Sequence, residues 1–328
     1  MNLNIRGNHK NWHTPLYIYN LSKADFMIRY QMAALAFKFF SLTSISRKIY
    51  RLIGNWCGNR RAGQVGRHYH ERSRWLISKL EEYGLADGRP LQAVELGTGW
   101  LHYYGIAVAL ATDAKIVLYD VWDNRQFTRL KKAFVDPVQL LSGLDLSSAS
   151  AKSKALKISE ACSLDEIYLA ANLNYIVDPG GCLASIESST YDFVFSMDVL
   201  EHVKAESLHS SIEAMYRILK PGGLAIHQIG VDDHLAHYDR KASMKQYLAF
   251  SPFEWRLRFS NTVQYINLVS FDKFRELFAK AGFEQCEAIA DRRPDQIDMV
   301  KVNSHYRSQS QESLEAVRLF LVYRKPVA

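Results

Sequence analysis

Residues Ala93–Trp100 read AVELGTGW. An apolar run leads into Glu95 and Leu96, and Gly97 and Gly99 then bracket Thr98. The run reads as a buried strand, and the glycines let the backbone turn tightly and approach a ligand closely. Trp100–Ala111 continues as a helical stretch. Strand, glycine turn and helix in that order outline a site for a nucleotide-like ligand. Two versions of that site do not fit. A dinucleotide fingerprint puts its third glycine at the position of His102, and a phosphate-binding loop needs Lys-Ser or Lys-Thr after the turn. Glu95 points further away from phosphate, because a carboxylate repels a pyrophosphate and attracts a cationic ligand. Downstream, KIVLYD ends at Asp120, where an acid at the tip of a second strand can accept hydrogen bonds from both hydroxyls of a ribose. A ribose beside negative character suits S-adenosylmethionine, which carries a ribose, an ammonium group and a sulfonium.

Outward from this point, strands and helices alternate. LQAVEL, AKIVLYD, LNYIVD, YDFVFSM and GLAIHQI read as buried strands, and EQCEAIAD and AVRLFLVYRK as two more. Helices are expected at Glu71–Leu85, at Ala205–Leu219, and at Ser270–Phe283, where Ser270 caps the start and Gly282 stops the end. Pro221-Gly222-Gly223 reads as a turn. Such alternation predicts an α/β fold with a doubly wound, mostly parallel, seven-stranded sheet. The predicted organisation is a basic helical N-terminal extension over residues 1–75 and a second domain over 76–328. Insertions are expected at about 137–171 and 232–267.

VELGTGW, Asp120, YDFVFSMDVLEHV (Tyr191–Val203) and LKPGGLAIHQI (Leu219–Ile229), in this order, resemble the motifs of class I S-adenosylmethionine-dependent methyltransferases. The resemblance covers about Leu91–Gly230 and implies a Rossmann-like methyltransferase domain with S-adenosyl-L-methionine as cofactor. It implies that Glu95, Gly97, Thr98 and Gly99 form the first cofactor loop and that Asp120 holds the ribose. It further implies Asp178 near the adenine, and Ser196 and Met197 as the backbone beside the methyl donor. The chain departs from the family's longer glycine pattern at Leu101. Glu201 and His202 are open to a packing, capping or cofactor role.

Methyl transfer is an in-line displacement, so the enzyme mainly positions its reactants and needs a base only when the acceptor must lose a proton. His227–Asp239, HQIGVDDHLAHYD, follows the fifth strand and is dense in such groups. His234 or His237 is expected as the base or acceptor-orienting group, with Asp233 as its partner. No metal is assigned, although Asp233, His234 and His237 are also able to serve as ligands. Phe250, Phe253, Trp255, Phe259 and Tyr265, with Arg256 and Arg258, offer faces for a sugar and cations for an anion, or alternatively core packing. This region resembles bacterial methyltransferases associated with surface-polysaccharide biosynthesis. The resemblance implies methylation of a small-molecule or carbohydrate-type acceptor at oxygen. Two alternatives stay open: an RNA methyltransferase using the basic N-terminus, and a non-catalytic S-adenosylmethionine-binding protein. Nucleic acid is not the expected partner, since no RNA-binding module precedes the core.

The 328 residues are 48% hydrophobic and 23% charged, as in an ordinary globular protein. Cys57, Cys162, Cys182 and Cys286 form no CxxC pair, which argues against a disulfide framework and for a cytoplasmic location. The first 80 residues hold 14 lysines and arginines against Asp25 and Glu71, while the whole chain is only +7. Phe26–Leu42 is the most apolar segment and is shorter than the roughly 20 residues a spanning helix needs. It reads either as a helix packed on its own domain or as an interfacial one. The second reading makes residues 26–61 a peripheral contact with anionic membrane at the inner face.

Overall fold

The computed structural model describes residues 27–61 and 65–327, with the backbone alone over 55–61. The rest of the basic extension, residues 1–26 and 62–64, and the side chains of Arg60 and Arg61 lie outside the described residues. Three helices come first: α1 (Ile28–Ser41), α2 (Ser44–Arg61) and α3 (Arg67–Glu82). β1 (Gln92–Leu96), α4 (Tyr103–Ala111) and β2 (Lys115–Asp120) follow. Between β2 and β3 (Leu173–Val177) stand α5 (Phe127–Ala133), α6 (Pro137–Leu144), α7 (Ala149–Glu160) and α8 (Leu164–Ala171). β4 (Tyr191–Met197), α9 (Ala205–Ile218) and β5 (Leu219–Gly230) continue the alternation. After β5 come α10 (Pro252–Arg258), α11 (Phe271–Lys280), β6 (Glu284–Arg292), α12 (Pro294–Asp298), α13 (Gln311–Glu315) and β7 (Ala316–Arg324).

The fold is Rossmann-like, with one seven-stranded sheet in the order β3-β2-β1-β4-β5-β7-β6. The expectation of a mostly parallel sheet needs a correction at one edge. β3, β2, β1, β4 and β5 pair in parallel, but β7 pairs antiparallel with both β5 and β6, so the sheet is mixed. Period-two alternation sorts the strand residues onto two faces. Ala93, Ile116, Leu118, Phe193, Phe195 and Ile226 pack against α3, α4 and the helices after β2. Val94, Val117, Val194, Ala225, Leu319 and Leu321 pack against α9 and α11. Local chemistry sets the helix ends: Ser270 Oγ accepts from Lys273 N at 3.3 Å, and Gly282 takes φ +92° just past α11. Pro221-Gly222-Gly223 is not a free turn but part of β5. Gly222 (φ +80°) donates to the carbonyl of Lys325, and the β4–β5 register shifts there.

A third apolar cluster joins α1 to the segment after β5: Tyr30, Ala34 and Phe37 meet Leu235, Tyr247, Trp255 and Phe259. Trp255 and Phe259 therefore serve as core, while Phe253 is 65% exposed. Tyr50 Oη accepts from Gln264 at 2.6 Å, and the Arg51 guanidinium lies 3.8 Å over the Trp122 ring. The first two helices thus reach from the segment after β5 to the loop after β2, roofing the carboxyl ends of the strands. Among the described residues, no helix is long and apolar enough to cross a membrane.

Candidate active site

In a sheet of this order the chain reverses direction between β1 and β4, and ligands bind at the carboxyl ends beside that switch point. The loops after β1 and β4 meet there. Gly97 has φ +63°, and a Cβ on it would lie 2.6 Å from Val199, so only glycine fits. Gly99 shares that φ but has no atom within 4 Å of a Cβ position, so it borders open space. Its N–H donates to Asp120 Oδ2 at 3.1 Å. Asp120 also accepts from Trp122 N and Asn124 Nδ2, both at 3.1 Å. Three donors fix the carboxylate at the tip of β2 and leave capacity for further hydrogen bonds.

Glu95 lies beneath the turn rather than in the open space. It is 2% exposed, accepts from Thr98 Oγ1 at 3.0 Å, and stands under Gly105 of α4, where a Cβ would collide with it at 2.5 Å. Burial pushes its carboxyl up to about 8, so its role here is to brace the turn against α4. Asp178, just past β3, accepts from Tyr119 Oη and from Gly180 N. The Tyr119 hydrogen bond, outweighing burial, holds it below the ordinary carboxylate range. Ser196 and Met197 end β4. The Ser196 hydroxyl is sealed inside the sheet 2.8 Å from His227 Nδ1, and burial lowers His227 to about 3. What Ser196 and Met197 can present to a ligand is their backbone.

The segment after β5 separates its acids. Asp233 is fully buried and its hydrogen bonds go elsewhere than to the histidines: it accepts from Tyr30 Oη at 2.6 Å and caps Leu235 N at 3.0 Å. Burial raises it to about 7. The expected pairing of Asp233 with a histidine is therefore corrected: Asp232 Oδ2 lies 2.9 Å from His237 Nε2. That hydrogen bond raises His237 above the ordinary imidazole value, and His237 keeps 60% of its side chain exposed. Burial lowers His234 to about 4, and its ring centre lies 5.2 Å from that of His202. Arg72 of α3 pairs with Asp198, at the end of β4. Sequence reasoning missed Asp198, Arg72 and Tyr30, and it counted Asp232 in its segment while choosing Asp233 as the partner. The two acids had a usable signal, since each directly follows a strand end or stands one residue beyond it.

These residues fit S-adenosylmethionine. Open space at Gly99 admits a ligand against the backbone, Asp120 can take ribose hydroxyls, and the backbone of Ser196 and Met197 borders the same reversal of the chain. The methyltransferase domain family matches residues 68–288, about two thirds of the chain. No curated protein matches it. Solved structures of similar shape include three with low identity. A Haloferax volcanii chain comes from the complex of the Trm112 methyltransferase activator with a candidate methyltransferase: 16% identity, TM-score 0.42, covering 82% of this chain and 97% of that one. Haemonchus contortus phosphoethanolamine N-methyltransferase 2 has 16% identity and a TM-score of 0.45, with 78% and 52% covered. The [4+2]-cyclase SpnF has 15% identity and a TM-score of 0.43, with 78% and 81% covered. On the strength of the match over residues 68–288, the chain belongs to the methyltransferase domain family and is an S-adenosylmethionine-dependent methyltransferase.

Proposed function

We propose that the chain methylates an oxygen of a small-molecule or carbohydrate-type acceptor, of the kind handled in surface-polysaccharide biosynthesis. The observation that carries this reading is the His237–Asp232 pair at the end of β5, beside the switch point. A hydroxyl acceptor has to lose a proton as it is methylated, and a histidine oriented by a carboxylate is the group for that task. Asp232 accepts the Nε2 proton of His237, which leaves Nδ1 with a lone pair for the acceptor proton. S-adenosylmethionine, when bound, supplies the methyl group from a sulfonium and departs as a neutral thioether. Asp120 and the Gly97–Gly99 turn hold the cofactor, and the α1–α2 roof limits water at the reacting atoms. An open groove of about 620 Å³ beside Tyr265 is lined by Lys38, Leu42, Lys204, Glu206, Asn261 and Thr262, largely apolar walls with charges of both signs on the scale of a small acceptor.

The cofactor part has a direct test. Asp120→Ala removes a hydrogen-bond acceptor for the ribose and should weaken binding of S-adenosylhomocysteine by about 1–3 kcal/mol. Calorimetry on the wild type and the variant reads this as roughly a tenfold to hundredfold change in Kd. Equal affinities would remove Asp120 from the cofactor site.

The outer face of α1–α2 supports a second element of the proposal, a cytoplasmic enzyme held peripherally on anionic membrane. Met32, Leu35, Phe39, Leu42, Ile45 and Leu52 are each more than 60% exposed, and they recur at helical spacing on the side away from the core. Arg29, Lys48 and Arg51 are exposed on the same two helices, and no acid occurs between Asp25 and Glu71. An apolar ridge flanked by cations matches an interface of acyl chains below anionic headgroups. The protein should sediment with vesicles containing phosphatidylglycerol at low salt, less so at high salt, and weakly with pure phosphatidylcholine. Leu35→Gln combined with Phe39→Gln should reduce the bound fraction. Equal sedimentation with both lipids at low salt would exclude the electrostatic component.

A further inference from the structure

We infer that Glu201, His202 and His234 form a binding site for a divalent transition-metal ion of the zinc class. One ligand atom from each lies within 4.8 Å of the others. Two neighbouring carboxyl ends supply them: Leu200–His202 is a short 3-10 turn just after β4, and His234 opens the 3-10 turn His234–Tyr238 after β5. Two imidazoles and one carboxylate are a donor set that suits such an ion and leaves coordination positions open.

Three features show a built site rather than a chance grouping. Glu201 is 2% exposed; its Oε1 accepts from Gly230 N at 3.1 Å, while its buried Oε2 has no hydrogen-bond partner. A buried carboxylate oxygen without a partner is costly while ionised, and a cation beside it would offset that cost. His202 Nδ1 lies 2.6 Å from the carbonyl oxygen of Tyr265. A carbonyl only accepts, so Nδ1 carries the proton and Nε2 keeps its lone pair, the arrangement that orients metal-binding histidines. Asn267 fastens the turn itself: its Nδ2 donates to the carbonyls of Leu200 and Val203, and its N–H donates to the carbonyl of Glu201. Burial, and then the neighbouring Asp198 and Asp232, raise Glu201 above the ordinary carboxylate range, while Arg72 pairs with Asp198 close by.

The position gives the ion a task. It would stand beside the His237–Asp232 pair, where an acceptor hydroxyl held against it would lose its proton more readily. That task rests on the proposed oxygen methylation, whereas the metal site rests on Glu201, His202 and His234 themselves. An acceptor with two neighbouring hydroxyls would be favoured, since two oxygens can occupy two open positions.

The test titrates the full chain with Zn²⁺ by calorimetry, and with Co²⁺ by visible absorption, in the absence of acceptor. Wild type should take up one ion per chain, with Co²⁺ bands of a low-coordinate site. His202→Gln changes an exposed side chain and should fold normally. It and His234→Gln should each weaken Zn²⁺ binding by more than the roughly 10–100-fold that loss of a supporting group costs. His209→Gln, a substitution on α9 away from the site, should leave binding unchanged. No saturable binding by wild type would overturn the inference, and so would unchanged affinity in both His202→Gln and His234→Gln. Binding of S-adenosylhomocysteine is measured on the same samples. A protein that binds it but takes up no Zn²⁺ defeats the metal site and leaves the methyltransferase reading intact.

Discussion

His237→Gln should lower the methylation rate by ~10²–10⁴-fold, the usual contribution of a positioned base, while cofactor affinity stays within a few-fold. The asymmetry follows from where the groups sit. His237 and Asp232 belong to the segment after β5, whereas the groups proposed to hold the cofactor, Asp120 and the Gly97–Gly99 turn, sit at the ends of β1 and β2. Asp232→Asn should reproduce most of the loss. It keeps the size of the side chain, but as a neutral group it no longer favours the imidazolium that forms when His237 takes a proton. Asp233→Asn makes the contrasting case. Asp233 bonds Tyr30 and caps its own turn, so its replacement should alter stability rather than the chemical step. Untargeted mass spectrometry of cells with and without the gene, searching for a species heavier by one methyl group, identifies the acceptor for these assays. Full turnover by both His237→Gln and Asp232→Asn would place proton transfer elsewhere or remove the need for it.

The parts of this site legible in sequence are those set by local chemistry. Gly97 and Gly99 announce a turn because few other residues adopt their φ, and Asp120 stands out because it ends an otherwise apolar strand. The reversed direction of β7 carries no such mark. A strand buried on both faces reads as the same apolar run whichever way it points. Asp232 and Asp233 show the limit most sharply. They are adjacent and chemically identical, yet one meets His237 and the other meets Tyr30, more than 200 residues away in sequence. Which acid faces which way depends on the backbone after β5 and on α1 docking against it. A count of acids in the segment contains neither. Glu201, His202 and His234 were each singled out, but their grouping was not legible for the same reason, since two strand ends and the loop at Asn267 bring them together. Trp255 and Phe259 had the composition of a sugar platform but became core once α1 covered them.

Lys245→Met should destabilise the fold by about 2–5 kcal/mol at pH 9.5, because it strips donors from two buried carbonyls. Lys245 is 1% exposed, and its Nζ lies 3.0 Å from the carbonyl oxygen of Val231, 2.7 Å from that of Ala316 and 2.9 Å from Tyr247 Oη. It therefore ties the end of β5 to the start of β7, next to the loop that carries Asp232 and His237. Burial lowers the ammonium to about 7, against the opposing pull of Asp232 and Asp233. The neutral amine suits the same three contacts: two N–H groups serve the carbonyls, and the lone pair accepts from the Tyr247 hydroxyl. The unfolded chain keeps its lysine protonated to about pH 10.4. Between about pH 7 and that value the unfolded state binds more protons, so the contribution of Lys245 to stability rises with pH. Glu95 and Asp233, raised by burial, have the opposite sign: their folded states hold protons that the unfolded chain has released, so they favour the fold less as pH rises. Glu95 is present in wild type and variant and cancels in the difference, and Asp233 enters it only through its interaction with Lys245. Urea unfolding at pH 7.5 and 9.5 should show the gap between wild type and Lys245→Met widening by roughly 1.4 kcal/mol per pH unit. A gap that stays constant would mean that Lys245 remains an ammonium in the fold, with Asp232 and Asp233 outweighing its burial.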